Sequence, residues 1–213
     1  MFKDRIDAGT QLAEKLLEFK NENVVVLAIP RGGLPLGAIV AKALNAPLDV
    51  ALTKKIGHPY NKEYAIGAVS LKNSILIDAI GVTKGYIEEE TARLRKKLRE
   101  RHNQYYKKSK PQNIKDRTVI IVDDGIATGN TILVTIELVK MQNPNKIVVA
   151  IPVAPPSTIR KLEASSEVDE VICLETPYNF HAVGQFYQAF YQVSDQEAIQ
   201  LLEENMQSIK QKN

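Results

Sequence analysis

The chain of 213 residues has no tryptophan, a single cysteine and no long apolar run. Cys173 cannot form a disulfide within the chain, and its apolar neighbours favour a small core residue. A helix that spans a bilayer needs about 20 consecutive apolar residues, and no stretch approaches that length. The N-terminus also lacks the basic and then apolar pattern of a secretory signal. We therefore expect a cytoplasmic protein that does not enter a membrane.

Charge is distributed unevenly along the chain, although its net value is only +3. Between Arg93 and Lys110, nine basic residues stand against one acid, Glu100, so this segment carries +8 and the remainder −5. Three interpretations remain open for it. The segment contacts nucleic-acid phosphates, it lies at a subunit interface or over a pocket where it attracts an anionic acceptor, or it is an ordinary solvated face.

Short β-branched runs alternate with longer segments of helical period, which is typical of an α/β fold with a mostly parallel central sheet flanked by helices. Strands are predicted over 24–29, 48–53, 65–69, 75–77, 119–122, 147–153 and 170–174. Helices are predicted over 4–19, 34–44, 84–107, 130–141, 156–164 and 195–209. We predict a core over 1–174 that carries a helical insertion at 83–112, and a small C-terminal hood with a terminal helix over 175–213.

One strand-turn-helix segment, VIIVDDGIATGNT at 119–131, combines features that suit a sugar phosphate. The buried strand ends at Asp123 and Asp124, at the sheet edge where open α/β folds bind ligands. The turn that follows brings backbone N–H groups and two threonine hydroxyls to a helix start, where an anion is stabilised. A phosphate fits this turn, and the two carboxylates suit sugar hydroxyls, directly or through hydrated Mg²⁺.

This segment resembles the signature of type I phosphoribosyltransferases: four apolar residues, two acids, and a turn that ends in Thr-Gly-x-Thr. The resemblance implies that Asp123 and Asp124 hold the ribose of 5-phosphoribosyl 1-pyrophosphate (PRPP). It also implies that the turn cradles the 5′-phosphate, through Ala127, Thr128, Gly129, Asn130 and Thr131. The chain is similar nearly end to end to a subgroup of predicted bacterial and archaeal phosphoribosyltransferases whose acceptor is not established.

Two further turns agree with the resemblance. Arg31, Gly32 and Gly33 follow the first strand and resemble the family's pyrophosphate loop, where a cis peptide bond can occur. At 53–57 the resemblance places a lysine that contacts PRPP, and Lys55 is the predicted residue, at a strand's carboxyl end. The polar stretch 58–63 is a candidate closing loop, and its histidine, His58, is either a proton donor or an ordinary surface residue.

The implied reaction transfers the phosphoribosyl group from Mg²⁺-PRPP to a nitrogenous base or related acceptor and releases pyrophosphate. Hypoxanthine-guanine enzymes carry an acid at the position of Ala127 and a lysine after a later strand, where this chain has the uncharged stretch 151–155. Both departures argue against a 6-oxopurine. Phe180 and Val183 in the hood are candidates for stacking on a flat acceptor, or they are simply hood core.

A second function stays open from the sequence alone. Some relatives of the fold keep the PRPP pocket as a sensor and bind nucleic acid, and the basic helix at 84–108 favours such a regulator. The enzyme remains the first hypothesis, with PRPP and an unidentified small-molecule acceptor as partners. A homo-oligomer is possible.

Overall fold

The computed structural model describes residues 1–62, 64–107 and 110–211. A five-stranded, all-parallel sheet forms its centre, in the order β2-β1-β6-β7-β8. These strands are β1 (Val24–Ala28), β2 (Leu48–Val50), β6 (Thr118–Val122), β7 (Lys146–Val153) and β8 (Glu170–Glu175). β1 and β6 are buried throughout, as expected for strands that are covered on both faces. The predicted α/β fold with a mostly parallel sheet is confirmed.

Six helices accompany the sheet in the described residues, and each begins or ends at a recognisable signal. They are α1 (Arg5–Lys15), α2 (Gly33–Leu44), α3 (Lys84–Tyr105), α4 (Asn130–Lys140), α5 (Pro156–Glu163) and α6 (Asp195–Lys210). Asp4, Thr83 and Ser194 cap α1, α3 and α6 by accepting a backbone N–H, which replaces a missing helical bond. None of these helices is long and apolar enough to cross a membrane, as far as the described residues show.

A second, antiparallel sheet holds β3 (Lys54–Gly57), β4 (Ala65–Val69) and β5 (Ser74–Leu76). One face of it packs on the apolar stripe of α3, where Ile56 and Ile66 meet Leu94 and Leu98. Its other face packs on α4. The small sheet therefore lies between the long basic helix and the helix that follows the acid pair.

Three sequence predictions about elements were wrong in detail. The strand expected over 48–53 ends at Val50, because the backbone turns at once, with Thr53 N–H donating to the Ala51 carbonyl oxygen. The chain then begins β3, a strand the sequence did not predict. The first helix, expected to reach residue 19, ends at Lys15 and is followed by a 3₁₀ turn. Two apolar residues of the predicted helix, Ile6 and Leu17, are 54% and 49% exposed.

Candidate active site

The acid pair lies directly after β6, at the carboxyl edge of the central sheet. The Asp124 backbone N–H donates to Asp123 Oδ1 at 2.9 Å, which fixes the first carboxylate beneath the turn. Burial raises the pKa of Asp123 well above its usual value, and the neighbouring Asp124 charge raises it further. Two carboxylates held this close in a shielded place favour ligands that neutralise them, such as hydroxyl donors or a cation.

Arg5 of α1 binds the carboxylate of Asp124. Its Nε atom donates to Asp124 Oδ2 at 2.9 Å, and its Nη2 atom lies 2.8 Å from the same oxygen as an ion pair. The guanidinium lies 3.9 Å from the ring centroid of Phe190 and donates through Nη1 to the Tyr191 carbonyl oxygen. Arg5 is 4% exposed, so this buried pair ties the N-terminal helix, the acid pair and the hood together.

The turn after the acids is shaped for a close anionic ligand. Gly129 has φ 79°, a left-handed conformation that favours glycine, and it precedes Asn130, the first residue of α4. Ala127, Thr128 and Thr131 are exposed, whereas Gly129 is buried. The free N–H groups of a helix start then face the turn.

A buried side chain supports this turn from below. Thr158 is 1% exposed and donates its hydroxyl to the Ala127 carbonyl oxygen at 2.6 Å. A Cβ on Gly129 would also fall only 3.1 Å from the Thr158 methyl group. The first turn of α5 therefore fixes the position of the turn that precedes α4.

The glycine turn after β1 lies against the acid pair. The peptide bond between Pro30 and Arg31 is cis, as the family resemblance implied. A Cβ on Gly32 would fall 2.0 Å from Asp124 Oδ2, and a Cβ on Gly33 would fall 2.5 Å from the Val122 carbonyl oxygen. Glycine is therefore needed at both positions for close approach, and the two loops form one continuous surface.

The lysines at 54 and 55 are placed differently from the prediction. Lys55 was expected at a strand's carboxyl end, but it lies inside β3, opposite Ala68 of β4. Neighbouring residues of a strand face opposite sides. Lys54 shares a face with Ile56 and therefore points toward α3, whereas Lys55 lies on the side of α4. The sequence placed both lysines at a strand end because it did not predict β3.

The hood contacts the loop of the acid pair at Gly125 and Asp124. A Cβ on Gly125 would fall 2.6 Å from a methyl group of Val183, and the Tyr187 hydroxyl donates to the Asp124 carbonyl oxygen at 2.6 Å. The Phe180 ring packs on Phe186, with centroids 5.1 Å apart. Val183 therefore borders the acid pair directly, and Phe180 lies within the hood's aromatic cluster.

A divalent cation has oxygen ligands here but no cage. Only one of the two oxygens of each carboxylate takes part in the contacts described above. Within the described ranges, no three His, Cys, Asp or Glu side chains cluster as a metal site. The donor set thus fits a hard cation such as Mg²⁺ that brings most of its oxygen ligands with it, from water and a phosphorylated ligand.

The comparisons with known proteins place this architecture. The sequence matches the family described as phosphoribosyl transferase domain over residues 3–188. The chain belongs to the phosphoribosyl transferase family. Two Mycobacterium tuberculosis proteins, each named "Putative phosphoribosyl transferase", are 37% identical over 209 residues. That match covers 95% of this chain and 46% of theirs, so the chain spans about half the length of these relatives.

Two other matches differ in extent. The crystal structure of TT1426 from Thermus thermophilus has a TM-score of 0.88 and 38% identity, and the match covers 95% of this chain and 98% of that one. The uracil phosphoribosyltransferase of Mycoplasma genitalium is 49% identical over 59 residues, 28% of each chain. The family fold therefore extends nearly end to end.

Arg5 is the main site residue that sequence reasoning left without a role. The available signal was its place on the apolar face of α1, with Ala8, Leu12 and Ala13. A cation on a buried face predicts a buried carboxylate partner, and the acid pair was the candidate at hand.

Proposed function

We propose that this phosphoribosyl transferase family member transfers the phosphoribosyl group from PRPP to a nitrogenous base or related amine and releases pyrophosphate. The observation that carries the proposal is the contact between the two loops, where Gly32 lies against the Asp124 carboxylate. This contact puts a loop suited to a diphosphate beside a pair of acids suited to ribose hydroxyls. A ligand with both groups on one sugar fits that juxtaposition.

The proposed ligand extends along the carboxyl edge of the sheet. The 5′-phosphate binds at the turn formed by Ala127, Thr128, Gly129, Asn130 and Thr131. Asp123 and Asp124 accept hydrogen bonds from the two ribose hydroxyls. The diphosphate binds Arg31 and the backbone of Gly32 and Gly33, with Lys55 approaching from β3.

The reaction forms a bond from the acceptor nitrogen to the anomeric carbon as the bond to the diphosphate oxygen breaks. The diphosphate leaves with that electron pair, so negative charge grows beside Arg31 while positive charge grows on the ribose. Cations aimed at the first charge and carboxylates beside the second stabilise the transition state more than the ground state. No protein nucleophile is required.

When bound, Mg²⁺ would neutralise the diphosphate and improve it as a leaving group. Asp123 and Asp124 are the residues that would hold its hydration shell. The metal is proposed to arrive with PRPP, since the acid pair alone supplies few ligands. The cytoplasmic location expected from the sequence stays a prediction.

The acceptor is proposed to bind between the acid pair and the hood. Val183 contacts the turn at Gly125, and the ring of Phe180 is half-buried nearby. The turn has Ala127 in place of an acid, and β7 ends in the uncharged stretch 151–155. An acceptor recognised by stacking and shape, rather than by an ionised side chain, fits these features better than a 6-oxopurine.

Calorimetry with Mg²⁺-PRPP tests the donor half. We expect Asp123→Asn to weaken PRPP binding at least about tenfold, because a hydrogen bond to a charged group contributes about 1.5–3 kcal/mol. Asp123 is the better first target, since its substitution leaves the Arg5–Asp124 pair intact. Asp116→Asn, which removes an exposed carboxylate seven residues earlier, is the control. Unchanged affinity in Asp123→Asn would refute the ribose assignment.

A panel of bases and amines with Mg²⁺-PRPP tests the acceptor half by pyrophosphate release. The panel includes uracil, because one partial relative bears that name, together with adenine, hypoxanthine and simple amines. Release with a particular acceptor would establish the enzyme. Tight PRPP binding without release from any acceptor, combined with binding to RNA or DNA, would favour the regulatory alternative.

A further inference from the structure

Three basic residues of α3 form a row along the edge of the helix face that packs on the small sheet. Arg93, Lys97 and Arg101 are spaced by four, so they share one side of the helix, next to its buried residues Leu94 and Leu98. Lys54 of β3 lies opposite. Its pKa is lowered by burial and then by the charges of Arg101, Lys97 and Arg93. Like charges have therefore been gathered here.

The row reaches the glycine turn of the active site through one shared acid. Asp195, the first residue of α6, lies 3.6 Å from Arg31 and 3.8 Å from Arg101, measured between its carboxylate oxygens and the guanidinium nitrogens. The Tyr105 hydroxyl donates to the same carboxylate at 2.7 Å. Arg31 and Arg101 are thus neighbours across a single anion, and α3 borders the proposed diphosphate loop.

This cluster has more positive than negative charge. Arg93 forms an ion pair with Glu90 at 2.6 Å. Asp195 is shared by Arg31 and Arg101, at distances longer than a good hydrogen bond. Across residues 1–62, 64–107 and 110–211, neither Lys54 nor Lys97 has a carboxylate oxygen within 4.0 Å. Because these cations repel one another, the cluster favours a ligand with several negative charges.

The position of the cluster identifies which part of the substrate it serves. Along the site, contacts run from Arg101 through Asp195 to Arg31, and from Gly32 to Asp124. From Gly125 they continue to Val183 in the hood. Val183 adjoins the loop of the acid pair, whereas Arg101 and Arg31 share Asp195 beside the glycine turn. The cations of α3 therefore border the loop proposed to bind the diphosphate.

We propose that Lys97 and Arg101 of α3, together with Lys54, bind the diphosphate of PRPP beside Arg31. The incoming diphosphate replaces the Asp195 carboxylate as the anion between the two arginines. This inference rests on the proposed function and extends it, because it assigns the basic helix to the donor site. Lys97 and Arg101 would then stabilise the departing pyrophosphate, in which negative charge grows during the reaction.

Calorimetric titrations with three ligands test this assignment: Mg²⁺-PRPP, Mg²⁺-pyrophosphate and ribose 5-phosphate. We expect Lys97→Gln/Arg101→Gln to weaken PRPP and pyrophosphate at least about tenfold, since charge-assisted bonds are lost. Ribose 5-phosphate should bind as in the wild type, because its phosphate belongs at the turn before α4. Arg101→Lys keeps the charge and should recover part of the pyrophosphate affinity.

The matched control is Lys96→Gln/Arg99→Gln, which removes two exposed cations from the opposite side of the same helix. Wild-type pyrophosphate affinity in the Lys97→Gln/Arg101→Gln variant would overturn the inference and leave the proposed function standing. Equal losses in the control variant, or an equal loss of ribose 5-phosphate, would overturn it too, because the effect would then not be local. If the wild type bound pyrophosphate through these residues but not PRPP, the proposed function would fail while the anion site stood.

Discussion

Gly32 has an ordinary helical backbone conformation, with φ −60° and ψ −33°. Alanine would therefore be acceptable at this position if only the backbone mattered. The obstacle is space, since the added Cβ would fall 2.0 Å from Asp124 Oδ2. That oxygen cannot retreat freely, because Arg5 holds it with one hydrogen bond and a further ion-pair contact. Gly32 is thus required by the loop-to-acid contact on which the proposed function depends.

We expect Gly32→Ala to lower the free energy of unfolding by about 1–3 kcal/mol, the usual cost of overpacking, and to weaken PRPP binding. Urea unfolding and calorimetry measure the two effects. Gly85→Ala is the matched control, because the added Cβ would have no atom within 4 Å beyond its chain neighbours and the adjoining backbone of its own helix. In a helix that change should stabilise by about 0.5–1 kcal/mol. A Gly32→Ala variant with wild-type stability and PRPP affinity would contradict the close contact.

At single residues, the sequence predicts site residues that belong to a motif of consecutive residues, and it misses those whose partners are distant along the chain. The acids, the turn before α4 and the Arg31 loop each carry their pattern in consecutive letters. Arg5 and Asp195 do not, because Asp124 and Arg31, with which they pair, are over 100 residues away along the chain. Only the fold brings these side chains to the acid pair and to Arg31.

Among the elements, β2 and the end of α3 are joined by one buried acid. Asp49 is 5% exposed and accepts hydrogen bonds from the Tyr106 hydroxyl, from the Gln112 N–H at 2.6 Å and from the Val50 N–H at 2.8 Å. Burial raises the pKa of Asp49, and these donors oppose the rise. The folded state therefore holds the Asp49 proton more firmly than the unfolded state does.

Stability linked to Asp49 should then be greatest below its unfolded pKa of about 3.9 and should decline as pH rises through the higher folded pKa. We expect Asp49→Asn to lose this part of the pH dependence, measured by urea unfolding between about pH 4 and 8. The slope is the readout, since the amide also changes the hydrogen bonds at every pH. Asp7→Asn is a control of opposite sign, because Lys3 N–H lowers the pKa of Asp7. An unchanged slope in Asp49→Asn would refute the assignment.

Element boundaries show where sequence patterns lose their force. The apolar residues at 48–52 continue past the end of β2. The polar sequence of β3 does not indicate a strand, although β3 pairs with β4. Tertiary pairing, rather than propensity, decides both. The helix predicted over 84–107 is present as α3, and its buried residues Leu94, Leu98 and Tyr105 form one packed side. The division into a core, an insertion at 83–112 and a hood from 175 stays a prediction, and Glu63, Lys108, Ser109 and residues 212–213 lie outside the described ranges.

At the scale of the whole molecule, the cations of the basic segment at 93–110 fall into those that lie near Lys54 and those that do not. Of its nine cations, Arg93, Lys97 and Arg101 face Lys54, and Arg95 Nε donates to the Ser70 carbonyl oxygen at 3.4 Å. Lys96, Arg99, Lys107 and Lys110 are exposed and lie away from Lys54, whereas Arg93 and Lys97 are exposed beside it. If the donor-site assignment of α3 holds, a nucleic-acid surface has to be built from Lys96, Arg99, Lys107 and Lys110.

We therefore expect only weak, strongly screened binding to single-stranded RNA. Each phosphate neutralised on a single strand contributes about −0.7 to the slope of log K against log salt concentration. Four or five contacts predict a slope of about −3 to −4, whereas nine would give about −6. Filter binding across a salt series measures the slope, and Lys96→Gln/Arg99→Gln should make it shallower without changing PRPP affinity. A slope near −6, or tight binding at physiological salt, would show that the row facing Lys54 turns outward to a nucleic acid, and the donor-site assignment of α3 would then be wrong.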